Sequence, residues 1–171
     1  QKLCVPPRSV IEAQLDGVLS DLGLGGGKPG RLVNEDVVRL TATKFKTHKV
    51  KNLVVDPVLN SESGRPLLNE SGLKALIQDL APLAEVCVPN LPEAEALSGL
   101  IIRTPIDMVA ASQAIRALGV KAVLVKGGHL SGQAMDVLNI GGEIREFSAP
   151  RIETVHTHGS GCAFSAALAT F

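Results

Sequence analysis

Tryptophan and tyrosine are absent, and phenylalanine occurs only four times. A core therefore has to be aliphatic, built from Leu, Val, Ile and Ala. The cysteines Cys4, Cys87 and Cys162 are an odd number, far apart and without metal-ligand spacing. A disulfide framework is not expected, and a reducing soluble compartment, cytoplasmic or organellar, fits better. Neither sign of charge is in excess, with 17 basic and 17 acidic residues and no basic stripe. Nucleic-acid binding would need a clustered positive excess, so no nucleic-acid partner is expected. No apolar run approaches the roughly 18–20 residues that a membrane span requires, so none is expected there either.

What is present is ordinary globular material: 171 residues, 45% hydrophobic and 20% charged. That length suits one domain, residues 1–171, with a real core. The first residues, Gln1-Lys2-Leu3-Cys4-Val5-Pro6-Pro7, lack an initiator Met and a signal pattern, and the last helix has scarcely begun at Phe171. Further chain is expected at both ends.

Val10, Ile11, Leu15, Val18, Leu19 and Leu22 recur at helical spacing, with Ser9 and Glu12 in capping-box positions. Residues 23–31 (GLGGGKPGR) break the pattern. Asn34 can cap a second helix to about Lys46, and a third is expected over residues 70–80. Leu53-Val54-Val55, Val86-Cys87-Val88 and Ala122-Val123-Leu124-Val125 are short, wholly apolar strands. A short helix follows Pro92, and Thr104-Pro105-Ile106-Asp107 opens another to about Leu118. Residues 135–140 and 143–147 flank Gly141-Gly142, a two-residue hairpin signal. Apolar strands alternating with amphipathic helices imply an α/β fold with a mostly parallel central sheet, helices on both faces and a late β-hairpin.

Ligands of open α/β sheets bind beyond the carboxyl ends of the strands. Asp56, Asn90 and Lys126 stand at three such ends, with Glu93 one turn into the helix after Asn90. Carboxylates suit a magnesium ion or its waters, and an ammonium neutralises phosphate oxygens. The sharpest signal is Thr157-His158-Gly159-Ser160-Gly161-Cys162. Gly159 and Gly161 remove side chains so that backbone N–H groups can close on an oxyanion at the start of a helix, and Ser160 adds a hydroxyl or another N–H. Taken alone, Gly-Ser-Gly is equally a linker with an N-cap serine. On spacing alone Cys162 reads as a small residue of an apolar helix, and Cys87 as core. His156 and His158 form a pair without an evident third ligand, so they read as loop histidines. His129 either lines a nucleotide site or caps a turn.

Val54-Val55-Asp56-Pro57-Val58, Pro89-Asn90-Leu91-Pro92-Glu93-Ala94-Glu95, Val125-Lys126-Gly127-Gly128-His129 and Thr157-His158-Gly159-Ser160-Gly161-Cys162 resemble, in order and spacing, the hydroxymethylpyrimidine/phosphomethylpyrimidine kinases of thiamine biosynthesis. These are ribokinase-like proteins, and the likeness runs over almost the whole chain. It implies a three-layer ribokinase-like sandwich and ATP- and magnesium-dependent phosphorylation of a pyrimidine alcohol and then of its monophosphate. It also implies Cys162 as the base or orienting group, where most of the superfamily has Asp. Gly159, Ser160 and Gly161 match the anion hole. Asn90, Lys126, Gly128 and Thr157 fall on the nucleotide and phosphate side, and Asp56 and Glu93 on the magnesium side. The family further implies a homodimer for the full-length protein and a thiamine-phosphate synthase domain as a fusion partner.

The sequence departs from that pattern in two places. The family's glycine-rich first strand and its C-terminal helical region have no counterpart within these residues. The apolar strand that usually runs into Lys-x-Gly-Met-Leu reads Gly25-Gly26-Gly27-Lys28-Pro29-Gly30-Arg31-Leu32, poor material for a central strand. Two other readings therefore stand beside the first: a pyridoxal-type vitamin kinase of the same superfamily, and an inactive ligand-binding module that keeps the fold.

Overall fold

The computed structural model describes residues 4–21, 24–61, 64–128, 134–154 and 157–170. Five strands form one sheet in the order β1 (Val54–Val55), β2 (Val86–Cys87), β3 (Ala122–Lys126), β4 (Ala134–Ile140) and β5 (Glu143–Ala149). The first three are mutually parallel, and the β4–β5 hairpin adds two antiparallel strands. Wholly apolar strands belong in a sheet covered on both faces, and alternation sorts their side chains between those faces. Val55, Cys87, Val123 and Val125 enter the main core, and Val54, Val88 and Leu124 form a smaller cluster. Gly141 and Gly142 turn the hairpin with φ of 62° and 95°, positive at both positions as the tight turn requires.

The main core lies under α2 (Glu35–Thr47), α3 (Glu70–Ala75), α4 (Leu91–Ser98) and α5 (Pro105–Arg116). Asn34, Asn90 and Thr104 cap α2, α4 and α5, the last two in full capping boxes. The final helix, α6 (Ser160–Thr170), packs on β1, and its Ala169 joins the smaller cluster. The α/β class with a mixed sheet and late hairpin is thus observed.

Two expectations need correction, and a third holds. Helix α1 (Arg8–Asp21) starts one residue before Ser9, because the Pro7 carbonyl accepts from Val10 and Ile11. Ser9 is therefore inside the helix, and Glu12, instead of closing a capping box, meets Lys44 of α2 at 2.8 Å. Val10 and Val18 are exposed and Leu19 is the helix's buried residue, while Leu22 lies outside the described residues. The helix expected over residues 70–80 is regular only to Ala75. It widens into a π turn over Leu76–Leu80 and ends in a 3₁₀ turn at Ala81–Leu83. Pro82 lacks the N–H that an α-helical bond to Gln78 would need, so the last turns close otherwise. Residues 25–31 make a single parallel bridge, Gly27 to Leu53, and no strand, as three glycines and a proline foretell.

Candidate active site

Parallel strands bring their carboxyl ends to one edge. Asp56 follows β1 directly, Lys126 closes β3, and β2 runs on through Val88 and Pro89 to Asn90 between them. The Lys126 N–H donates to the Pro89 carbonyl at 2.8 Å, holding the two strand ends in register. The Lys126 ammonium then reaches across to Asp56 Oδ1 at 3.2 Å. Both groups are withdrawn from water, with side chains 19% and 4% exposed, so the pair is far less screened than a surface pair.

Asn90 and Glu93 cap one another. The Glu93 N–H donates to Asn90 Oδ1 at 3.0 Å, and the Asn90 N–H donates to Glu93 Oε2 at 2.8 Å. This box starts α4 at the sheet edge and buries the Glu93 carboxyl. Burial pushes Glu93 up to about 7, against the pull of the Asn90 and Leu59 N–H groups and Lys126, and the neighbouring Asp56 charge pushes the same way as burial. The Cys87 thiol, wholly enclosed one strand away, is pushed up to about 12 chiefly by burial, which bears out its reading as core.

Helix α6 arrives at this edge from above. Gly159 sits at φ 81°, a left-handed turn that favours glycine, and Ser160 is the first helical residue. The Ser160 N–H is committed to the Thr157 carbonyl at 3.1 Å, so Ser160 offers its hydroxyl and no free amide. The first turn of a helix leaves N–H groups without intrahelical partners, and the dipole adds positive potential there. Gly161 lies so near the ammonium that a Cβ on it would stand 3.4 Å from Lys126 Nζ. One turn on, the Ser165 hydroxyl donates to Asp56 Oδ2 at 3.1 Å. Asp56, Lys126, Gly161 and Ser165 are therefore in contact, with Asn90 bound through the strands and Glu93 within electrostatic reach.

Cys162, Thr157 and Gly128 are exposed in the segments adjoining this cluster. The Gly128 carbonyl accepts from Arg151 Nη1 at 2.6 Å, which ties the turn after β3 to the segment after β5. His129 and His156 lie outside the described residues. Among the described residues no three His, Cys, Asp or Glu side chains form a metal cluster.

Two positions escaped sequence reading. Ser165 is the lone hydroxyl within the apolar run Cys162 to Leu168, and a buried hydroxyl there needs a partner. Asp136 of β4 accepts from the Gly127 N–H at 3.0 Å and so shapes the turn that follows Lys126. Its only sequence signal was that it is the one charged residue of β4.

Comparison with known proteins gives a consistent result. Residues 1–171 match the family model described as phosphomethylpyrimidine kinase. The hydroxymethylpyrimidine/phosphomethylpyrimidine kinase of Salmonella typhimurium is 44% identical over 161 residues, covering 93% of this chain and 60% of its own length. The thiamine biosynthesis bifunctional protein ThiED of Geobacter sulfurreducens is 38% identical, covering 98% of this chain and 34% of the relative. Among solved structures, the ADP complex of Bacillus subtilis pyridoxal kinase superimposes with a TM-score of 0.90 at 36% identity, over 99% of this chain and 65% of that one. The chain thus spans about three fifths of the length of the single-function relative.

Proposed function

This chain belongs to the phosphomethylpyrimidine kinase family, and from that premise we propose that the full-length protein phosphorylates hydroxymethylpyrimidine and then its monophosphate, using ATP. The observation that carries the proposal is the Lys126–Asp56 pair set against the glycine-flanked start of α6. A half-buried ammonium and an open helix N-terminus converge there on one point, which is where a transferring phosphoryl group needs positive charge.

Phosphoryl transfer is mostly a matter of positioning and charge stabilisation. The first-turn N–H groups of α6, Gly161 and Cys162 among them, hold the oxyanion, and Lys126 neutralises its oxygens. Cys162 orients or deprotonates the acceptor hydroxyl. Gly128 and Thr157 fall on the nucleotide side. The donor set fits magnesium: Asp56 and Glu93 are hard oxygen donors near enough to act on one another's charge. Mg²⁺ takes one or two carboxylates and completes its shell with phosphate oxygens and water, so a third protein ligand is not needed. Asp56 and Glu93 would hold the ion, which would help offset the negative charge that develops on the transferring phosphoryl group.

Phosphorylation of hydroxymethylpyrimidine by the full-length protein tests this reading, with Cys162→Ala as the decisive variant. A loss of kcat on the order of 10²-fold or more is expected for a base or orienting group. Equal rates would remove Cys162 from the mechanism. The superposition with pyridoxal kinase favours a second reading, a vitamin kinase that accepts pyridoxal. A panel of both alcohols, compared by kcat/KM, separates the two. The bifunctional relative supports a further proposal, that this kinase occurs fused to a second thiamine-biosynthetic domain.

A further inference from the structure

Helix α6 is apolar on every side. Ala163, Phe164, Ala166, Ala167 and Leu168 surround its axis, and all are exposed. Hydrophobic patterning therefore does not choose which face turns to the sheet, because a stripe of small residues is available in more than one direction. The face that does turn inward is Gly161, Ser165 and Ala169, spaced four apart. Gly161 meets Lys126, Ser165 meets Asp56, and Ala169 meets the Val54, Val88 and Leu124 cluster. Only the middle contact is directional. Ser165 is fully buried, the one residue of α6 that is, and Asp56 is 6% exposed.

The Ser165 hydroxyl has one hydrogen and three oxygens in reach: Asp56 Oδ2 at 3.1 Å, the Gly161 carbonyl at 2.9 Å and the Cys162 carbonyl at 3.2 Å. The carbonyls are neutral, whereas Asp56 carries the buried charge. A charge-assisted bond is the stronger, so the hydrogen goes to Asp56. A bond back to the helix's own carbonyl would say nothing about how the helix sits.

Resting on the kinase reading above, we propose that Ser165 is a positioning residue for phosphoryl transfer: its bond to Asp56 sets the rotation of α6 about its axis, and so aims the Gly161 and Cys162 N–H groups at the point Lys126 faces. Ser165 touches no reacting atom. It acts one helical turn below the anion hole, about 6 Å along the axis from Gly161. Successive residues of an α-helix are about 100° apart, so even a partial rotation swings the first-turn N–H groups away from Lys126. Misplacement by about 1 Å is enough to slow chemistry on the order of 10²-fold.

Two variants of the full-length protein test this, Ser165→Ala and Ser165→Thr, the second retaining a hydroxyl. Ser165→Ala should lower kcat by about ten- to a hundredfold with KM for ATP and the alcohol nearly unchanged, and Ser165→Thr should recover most of the loss. A second readout needs no turnover. Inorganic phosphate should slow alkylation of Cys162 by iodoacetamide in the wild type, measured by peptide mass spectrometry with exposed Cys4 as internal control. That protection should vanish in Ser165→Ala. If Ser165→Ala keeps its kcat and its phosphate protection, the proposal is wrong. It is equally wrong if the wild-type Cys162 is never protected, or if both variants lose kcat and melting temperature together, as a packing defect would cause. A wild type that is protected by phosphate but transfers nothing to the pyrimidine overturns the kinase reading and leaves the positioning of α6 standing.

Discussion

At the scale of single residues the candidate site is a balance between two buried carboxylates and one ammonium. Asp56 is satisfied twice, by Lys126 and by Ser165. Glu93 is satisfied by backbone N–H groups yet remains pushed up to about 7 by burial. A carboxyl raised in the fold from an ordinary 4.5 adds stability that is complete below that value and is lost as pH climbs through about 7. Glu93→Gln keeps an oxygen to accept from the Asn90 N–H but carries no charge. Its melting temperature relative to wild type should therefore climb between about pH 5 and pH 8 and level off above. Thermal scans of both proteins across that range check it, and parallel curves would show that Glu93 does not titrate in this interval. Asp56, Asn90, Glu93 and Lys126 were legible because polar residues ending apolar strands stand out. Ser165 was not, since in sequence it is one serine among alanines, and only the crossing of α6 over β1 gives it a charged partner.

At the scale of elements, local chemistry explains most boundaries. Asn34, Asn90 and Thr104 begin helices where their side chains accept an N–H, and Pro82 explains why the third helix loses its regular turn. The same local logic failed at α1. Ser9 and Glu12 have capping-box spacing, but Glu12 and Asp16 both take the Lys44 ammonium of α2 instead, at 2.8 and 2.7 Å. The Lys44 bond is also the main cause holding the Asp16 carboxyl below its usual range. Gly127, directly after β3, shows how little room an element boundary can leave. A Cβ on Gly127 would fall 2.0 Å from the Met135 carbonyl oxygen and 2.8 Å from Met108 Cε. Gly127→Ala is expected to cost about 3 kcal/mol or more, since backbone and core have to move together. Urea denaturation of the variant against wild type measures this, and a loss within ±0.5 kcal/mol would mean the turn relaxes freely.

At the scale of the whole molecule, stability is uneven. Residues of α2 to α5 and the sheet share the main core, whereas α1 contributes only buried Leu19 and partly buried Leu15 to it, alongside the Lys44 ion pairs and the 3.3 Å contact of Asp16 with His48. Few buried apolar contacts mark a segment that opens without global unfolding. Hydrogen exchange should find α1 amides exchanging well before those of β3, and Lys44→Met should hasten exchange in residues 8–21 while leaving residues 122–126 unchanged. Equal slowing or quickening of both segments would show that α1 and the sheet unfold as one unit.

The sequence by itself determined the α/β class, the parallel apolar strands, the late hairpin, and the polar residues waiting at three strand ends, because each is written locally, in helical periodicity, in short wholly apolar runs, and in capping and turn chemistry. Even the sharpest signal, Gly159 to Cys162, was visible as a helix start. Tertiary structure alone decided that Lys126 meets Asp56 across 70 residues of chain, that the Ser160 N–H is already taken, and which face of an all-round apolar helix turns inward. These depend on packing between distant elements, where a single hydroxyl against a buried carboxylate outweighs a hydrophobic pattern that has no preferred side.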